Sequence, residues 1–207
     1  MRVLVTGGAG FIGSHLVEKL LASGHEVVIL DDFNDFYDPQ TKHANIAGLA
    51  RDVTIYHVDL RDSESVRNLF HREKVDAIAH LAARAGVRPS IQQPRLYYDT
   101  NVTGTLHLLE AARVTGVERF VFASSSSVYG ASKRIPFSED EHLTQTLSPY
   151  AATITPRAHL FSDWPNIIRR RGQRIASVAN ANRSNAITLQ INAKTSGFHL
   201  NAAEKWP

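Results

Sequence analysis

Three glycines at regular spacing lie near the start of the chain, in the run Thr6-Gly7-Gly8-Ala9-Gly10-Phe11-Ile12-Gly13. Glycines in a turn from a strand to a helix let the backbone approach a pyrophosphate, which the helix N-terminus then binds through its N–H groups. Asp31 follows 18 residues after Gly13, where a carboxylate accepts hydrogen bonds from ribose hydroxyls and repels a 2′-phosphate. This combination predicts a dinucleotide site that prefers NAD to NADP. The alternative is a tight turn followed by a surface acid.

A run of hydroxyl side chains forms the second candidate site, in Ala123-Ser124-Ser125-Ser126-Ser127-Val128-Tyr129-Gly130. It follows a predicted strand, and ligands in open α/β sheets bind beyond the carboxyl ends of strands. We therefore expect these hydroxyls to face the nicotinamide and a substrate. The alternative is a loop whose serines bond to their own backbone.

Alternating strand and helix patterns position both motifs. Short apolar runs predict strands at residues 3–5, 27–30, 53–58, 75–81 and 120–122. Apolar residues at helical spacing predict helices at residues 11–22, 39–50, 63–72 and 94–116. Repeated strand, helix, strand units imply parallel strands joined by right-handed crossovers. The predicted fold is a doubly wound α/β sheet of the Rossmann type.

The pattern decays after Pro149. Residues 157–207 lack a sustained apolar period, and the alternation at 187–191 indicates at most one short strand, at 186–191. We therefore expect a sheet truncated after its fifth strand, with a dinucleotide-binding domain over 1–154 and an atypical tail over 155–207. The tail should be poorly integrated and cleaved early by proteases, leaving a stable fragment that ends near Tyr150.

Composition excludes several classes of protein. The 207 residues are 43% hydrophobic and 21% charged, as in soluble globular proteins, and no apolar run or signal sequence indicates a membrane or secreted protein. We expect a cytoplasmic protein. The absence of cysteine excludes disulfides and thiolate chemistry, and no metal site is predicted.

Charge is distributed unevenly along the chain. Residues 1–154 carry 15 Lys and Arg against 18 Asp and Glu, whereas residues 155–207 carry 8 against 2. The basic character therefore belongs to the tail. Few aromatic residues accompany the basic cluster of Arg169, Arg170, Arg171 and Arg174, so nucleic-acid binding is the least favoured function.

These motifs resemble the extended short-chain dehydrogenase/reductases, specifically the NAD-dependent sugar-nucleotide epimerases and dehydratases. The resemblance covers about residues 1–153, and the runs Leu30–Asp38 and Leu81–Arg88 look most like UDP-glucuronate 4-epimerases, with UDP-glucose 4-epimerases more distant. It implies a tightly held NAD that oxidises a sugar C4 hydroxyl, a 4-keto intermediate that rotates, and hydride return to its other face. It also implies a UDP-sugar substrate. Family members often form homodimers through helices on one sheet edge. The apolar stripe of the predicted helix 94–116 fits either a homodimer interface or packing of the helix on the sheet.

The resemblance assigns site residues position by position. It implies cofactor contacts at Gly7, Gly10, Phe11, Ile12, Gly13, Asp31, Asp59, Leu60, Leu81, Ala82, Ala83 and Asn101. It implies that Ser125 and Tyr150 are catalytic and that Arg88, Ser126 and Ser127 contact the UDP-sugar. Two of these have alternative roles, Asp59 as the cap of a turn and Asn101 as a structural residue. His80, with apolar neighbours, is expected to be structural.

The resemblance breaks four residues after Tyr150. Family members carry a lysine there, whose ammonium lowers the phenol's pKa from about 10 and holds the nicotinamide ribose. This chain has Ile154, which does neither, and Arg157 is separated from it by Pro156. Together with the unpatterned tail, this favours a frameshifted, truncated or recombined gene over adaptive divergence. Two functions remain: a catalytically impaired NAD-dependent sugar-nucleotide 4-epimerase, and a non-catalytic NAD-binding remnant.

Overall fold

The structure is a computed structural model that describes residues 1–134, 136–138 and 145–155, and the backbone of a strand at 174–178. The strands are β1 (Arg2–Thr6), β2 (Glu26–Asp31), β3 (Val53–His57), β4 (Ala77–His80), β5 (Arg119–Ala123) and β6 (Arg174–Val178). The longer helices are α1 (Phe11–Ala22), α2 (Pro39–Ile46), α3 (Ser63–Arg72) and α6 (Gly104–Thr115). Shorter helices are α4 (Val87–Gln92), α5 (Pro94–Tyr98) and α7 (149–155). None of the helices in these described segments is long and apolar enough to cross a membrane.

All six strands run parallel in one sheet, in the order β3-β2-β1-β4-β5-β6. The order reverses between β1 and β4, where the connections on either side leave a crevice at the carboxyl ends of the strands. The predicted doubly wound α/β fold is confirmed. Both motifs follow strands at this edge, because the glycine loop leaves β1 and the serine run leaves β5.

Alternation along β1 divides the core into two layers. Val3 and Val5 pack in one cluster with Leu20 of α1, whereas Leu4 packs in the other with Leu69 of α3 and Leu108 of α6. Successive side chains of a strand point to opposite faces of a sheet, so a strand buried on both faces is apolar throughout. This explains why the buried strands appear in the sequence as continuous apolar runs.

Helix α3 matches its predicted bounds exactly, as does α1. Asp62 caps α3 by accepting hydrogen bonds from the amides of Glu64 and Ser65, which fixes where the helix begins. Helix α2 ends at Ile46 rather than at the predicted residue 50. Gly48 falls in the last predicted turn, and glycine is unfavourable in a helix interior because it loses the most backbone entropy there.

The predicted helix 94–116 is subdivided. Helix α5 leads into a wider π-helical turn at Asp99–Thr103, from which α6 continues. Helix α4 precedes them and was not predicted, since its six residues are too few to show a helical period. Gly116 ends α6 with φ of 77°, the left-handed cap that glycine adopts most readily.

A sixth strand corrects the expectation that the sheet stops at β5. Strand β6 pairs in parallel with β5, from Arg119 opposite Arg174 to Ala123 opposite Val178. The outer edge of β5 presents backbone N–H and C=O groups, with which any extended segment can pair. Because this pairing does not depend on side chains, the side-chain pattern of the sequence did not predict the strand. The strand expected at 186–191, and the tail at 156–173 and 179–207, lie outside the described residues.

Candidate functional site

The loop between β1 and α1 requires glycine at two of the predicted positions. Gly7 has φ of 69°, and a Cβ there would lie 2.9 Å from the Cα of Ala82. A Cβ on Gly13 would lie 2.0 Å from the carbonyl oxygen of Gly7. Gly10 begins α1 with no side-chain cap, and the first turn carries no acidic residue. The helix N-terminus therefore offers its N–H groups and partial positive charge to an anion.

Asp31 lies at the end of β2 and is buried. One carboxylate oxygen accepts hydrogen bonds from the amide of Phe33 (3.0 Å) and from Lys42 Nζ (2.8 Å), and the other accepts from the amide of Ala9 (3.1 Å). A carboxylate has about four lone-pair positions. Three are thus engaged by the protein, and one on Oδ2 has no hydrogen-bond partner among the described residues.

Lys42 is a residue of this site that sequence analysis missed. It is buried on α2 and contacts Asp31, with a second carboxylate, that of Asp32, 3.4 Å from Nζ. No motif marks an ion pair between residues eleven positions apart. The available signal was helical spacing, because Lys42 lies four residues before Ile46, the buried apolar residue of α2.

Other residues assigned to the adenine side differ in their surroundings. Asp59 accepts hydrogen bonds from the backbone amide and the guanidinium of Arg61. Burial opposes the charged form of Asp59, but these bonds and the charge of Arg61 lower its pKa below the usual value. Leu60 is buried, whereas Phe11 and Ile12 are 50% and 43% exposed at the start of α1. The bond from the Arg61 amide makes Asp59 part of a turn, which is the alternative role that the sequence left open. The Asp59 carboxylate is still partly exposed to solvent.

His80 joins three parts of the site through a chain of hydrogen bonds. Thr105 Oγ1 donates to the carbonyl of Asn101 (2.6 Å), so it accepts from His80 Nε2 at 2.9 Å. His80 Nδ1 then accepts from Thr6 Oγ1 (2.6 Å), which itself accepts from the amide of Ala82 at 3.2 Å. This order assigns the proton of a neutral imidazole to Nε2. The buried position of His80 agrees with its predicted structural role.

Asn101 lies in the π-helical turn and is fully buried. Its Oδ1 accepts from the amide of Arg84 (2.8 Å), and its Nδ2 donates to the Arg84 carbonyl and to Thr153 Oγ1, both at 3.0 Å. The side chain therefore ties the loop after β4 to α7. In that loop Leu81 is half-buried and Ala83 is exposed.

The two predicted catalytic residues make separate sets of contacts. Ser125 Oγ accepts from the amide of Ser127 (3.2 Å) and donates to its hydroxyl (3.2 Å). The amide of Tyr150 donates to Ser90 Oγ (3.1 Å), and its ring meets that of Tyr97 edge-on at 6.3 Å between centroids. In the described part of the chain, no hydrogen bond joins Ser125 to Tyr150. The Ser125 side chain therefore bonds within its own loop, an arrangement that both interpretations of the serine run allow.

The other predicted substrate contacts follow the carboxyl ends of neighbouring strands. Arg88 is exposed in the first turn of α4, after β4. Ser126 is half-buried and begins the single helical turn Ser126–Tyr129 that follows β5. Both residues lie at the edge of the sheet that carries the glycine loop.

Ile154 is 1% exposed and belongs to the core cluster that contains Phe122 and Leu108. The position four residues after Tyr150 is therefore inside the core, where an apolar side chain is stabilising. Arg157, the alternative cation, lies outside the described residues. Among the described residues, no group of three or more His, Cys, Asp or Glu could hold a metal ion.

Comparison with known proteins finds relatives of the same family as the one that the motifs resemble. Residues 4–167 match the sequence model of the GDP-mannose 4,6 dehydratase family, so the match continues past Thr153, where the resemblance was expected to end. The chain is 39% identical to "Protein CapI" of Staphylococcus aureus over 171 residues, which are 81% of this chain and 51% of that protein. It is 43% identical to a UDP-glucuronate 4-epimerase of Thermodesulfobacterium geofontis over 152 residues, 72% of this chain and 47% of the relative.

Solved structures show the same fold and the expected cofactor. The Thermus thermophilus UDP-glucose 4-epimerase, crystallised with NAD, matches with a TM-score of 0.74 and 38% identity, over 86% of this chain and 54% of that one. The prediction of NAD as the cofactor of the family is thereby confirmed. The chain spans about half the length of the proteins it matches. Fold, motifs and sequence together show that this chain belongs to the GDP-mannose 4,6 dehydratase family of NAD-dependent epimerases and dehydratases.

Proposed function

We propose that residues 1–154 form an NAD-binding unit of the sugar-nucleotide 4-epimerase type that does not complete the catalytic cycle. The observation that supports NAD binding most directly is the arrangement of the glycine loop beside Asp31. Gly7 brings the loop against Ala82, an uncapped helix N-terminus lies next to it, and a buried carboxylate keeps one lone-pair position for a ribose hydroxyl. Each is a feature that a pyrophosphate or an adenosine ribose requires.

NAD, when bound, would accept a hydride from the sugar carbon that carries the reacting hydroxyl. The chain provides hydroxyl groups at the carboxyl ends of β5 and at the start of α7, on Ser125 and Tyr150. In this proposal Ser125 holds the sugar C4 hydroxyl, and the phenolate form of Tyr150 would accept its proton. A UDP-sugar of the glucuronate or glucose class is the proposed substrate, since relatives carry the names UDP-glucuronate and UDP-glucose 4-epimerase.

The proposed deficiency follows from position 154. Ile154 offers neither a positive charge for the phenolate nor a donor for the nicotinamide ribose, and its side chain is buried in the core. General acid–base catalysis typically contributes about 100-fold to 10,000-fold to a rate. An active UDP-sugar 4-epimerase is the second candidate, favoured by the names of the relatives.

Two measurements on the purified chain separate these candidates. We expect NAD in the protein as isolated, or saturable NAD binding by calorimetry. We expect turnover of UDP-glucuronate and UDP-glucose at background, at least about 100-fold below the 1–1,000 per second typical of enzymes. Turnover in the typical range would contradict the deficiency, and failure to bind NAD would contradict the whole proposal.

The proposal includes a homodimer formed through the helices after β4. Tyr98 of α5 and Leu106 of α6 are exposed, at 55% and 39%, and lie eight residues apart on a nearly continuous helical path. Light scattering of the purified chain measures the mass directly. A monomer at all concentrations would remove the dimer from the proposal and leave NAD binding intact.

A further inference from the structure

Lys42 is placed unusually for a lysine. Asp38 caps the start of α2 by accepting from the amide of Gln40, and the helix then returns across the end of β2. This brings the Lys42 ammonium, 7% exposed, to 2.8 Å from Asp31 and 3.4 Å from Asp32. The Tyr37 ring lies beneath it, with 5.6 Å from Nζ to the centroid. Lysines are almost never buried without such partners.

The charge of Lys42 is maintained in this position. Burial disfavours the ammonium, but the hydrogen bond and the charge of Asp31, with the charge of Asp32, raise the pKa of Lys42 above its usual value. The polar end of β2 therefore holds two carboxylates and one buried cation. The two carboxylates alone would set two negative charges against a phosphate, whereas together with the Lys42 ammonium the group carries a single net negative charge.

The position of this cation matters because NAD and NADP differ only at the adenosine ribose. Asp31 is the residue that meets the ribose hydroxyls in the proposed NAD complex, so a 2′-phosphate would lie next to it. A phosphate close to Asp31 is also close to the ammonium 2.8 Å away from it. Lysine is a common ligand of phosphate. In the chain as it stands, the carboxylate of Asp31 engages the ammonium first.

We propose that Lys42 is a latent ligand for a 2′-phosphate, kept from that role by its ion pair with Asp31, and that the pair sets the choice between NAD and NADP. The inference depends on the proposed binding of NAD at the glycine loop. The competing explanation is that Lys42 only fastens α2 to the end of β2. A fastening role predicts a change in stability without a change in the ratio of the two affinities.

The test uses calorimetric titration with NAD and with NADP at one fixed salt concentration. Asp31→Ser removes the nearer carboxylate and leaves Lys42 only the longer contact with Asp32, so we expect it to bind NADP at least about tenfold more tightly than the unchanged chain does. The double variant D31S/K42Q should lose that gain. The double variant D31S/K42R should keep it, because an arginine restores the cation. Equal NADP affinity of D31S and D31S/K42Q would overturn the inference.

A second arm keeps the test decisive if Asp31→Ser does not fold. Lys42→Gln alone, with Asp31 in place, should lower NADP affinity relative to NAD by about threefold or more, since it leaves both carboxylates without their cation. Lys74→Gln is the matched control, because Lys74 is exposed before the amino end of β4. An unchanged affinity ratio in Lys42→Gln overturns the inference. Absence of NAD binding by the unchanged chain overturns the proposed function and this inference together, whereas NAD binding with a ratio independent of Lys42 overturns the inference alone.

Discussion

The proposed cofactor side and the proposed catalytic side of the same sheet edge are built differently. Around β1 and β2, polar groups are paired across the chain: Asp31 engages Ala9 and Lys42. Around β5 and α7, the side chain of Ser125 hydrogen-bonds only to Ser127 among the described residues, and α7 is tied to distant segments through Tyr150 and Thr153. The position four residues after Tyr150 holds the buried Ile154. The polar groups around Asp31 are preorganised, whereas position 154 carries an apolar residue where the family has a lysine. This difference indicates that NAD binding and sugar oxidation can be separated in this chain. The predictions below test that separation.

The largest expected effect comes from placing the family's lysine in the core. Ile154→Lys should lower the free energy of unfolding by about 3–5 kcal/mol, because it buries a charge without a described partner. Ile154→Val, the matched control, should cost about 1 kcal/mol. Urea titration measures both. If Ile154→Lys were as stable as the unchanged chain and turned over UDP-glucuronate, position 154 would open onto the site, and the contrast between the two sides would fail.

The second effect breaks the cofactor side. Gly13→Ala places a Cβ 2.0 Å from the carbonyl oxygen of Gly7, so the loop must shift, at a cost of about 1–3 kcal/mol. We expect NAD affinity to fall at least about tenfold, measured by calorimetry. Gly48→Ala is the control, since a Cβ there meets nothing within 4 Å. If Gly13→Ala and Gly48→Ala had the same affinity for NAD, the assignment of cofactor binding to the glycine loop would be contradicted.

The third effect concerns cofactor choice by the unchanged chain. NAD should bind about tenfold more tightly than NADP, because the net charge at the end of β2 is negative and a 2′-phosphate is repelled. Lys42 moderates this preference, so a ratio far above tenfold is not expected. Titration with both nucleotides decides it. Equal affinities would contradict the role of Asp31.

The smallest effect is pH-dependent and lies away from both sites. The Tyr56 hydroxyl donates to Glu73 (2.6 Å), and this bond, with burial and the charge of Glu73, raises the pKa of Tyr56. A raised pKa means that the folded chain holds the Tyr56 proton more tightly than the unfolded chain does. The contribution of Tyr56 to the free energy of unfolding is therefore fully present below a pH of about 10 and is lost as the pH rises through the folded-state pKa. Tyr56→Phe should flatten this alkaline decline, measured by urea titration between about pH 8 and 11. An identical decline in both chains would rule out this contribution.

The sequence predicted the sheet better than it predicted the site. Short apolar runs and the capped helix α3 are local signals, so β1 to β5 and the bounds of α1 and α3 agree with prediction. Lys42 was missed because its partner is eleven residues away, and no local pattern records a contact formed by folding. The π-helical turn at Asp99–Thr103 was missed because its residues also fit an ordinary helix. Its effect, which is to bring Asn101 to Arg84 and Thr153, depends on three segments at once.

The sixth strand has a consequence for how the sheet opens. In a parallel sheet, alternate amides of a strand point to its two neighbours, so those of β5 divide between β4 and β6. Detachment of β6 would let every second amide of β5 exchange with solvent while the others stay protected by β4. An alternating exchange pattern along Arg119–Ala123 would thus report the local opening of the last strand, separately from the unfolding of the nucleotide-binding core.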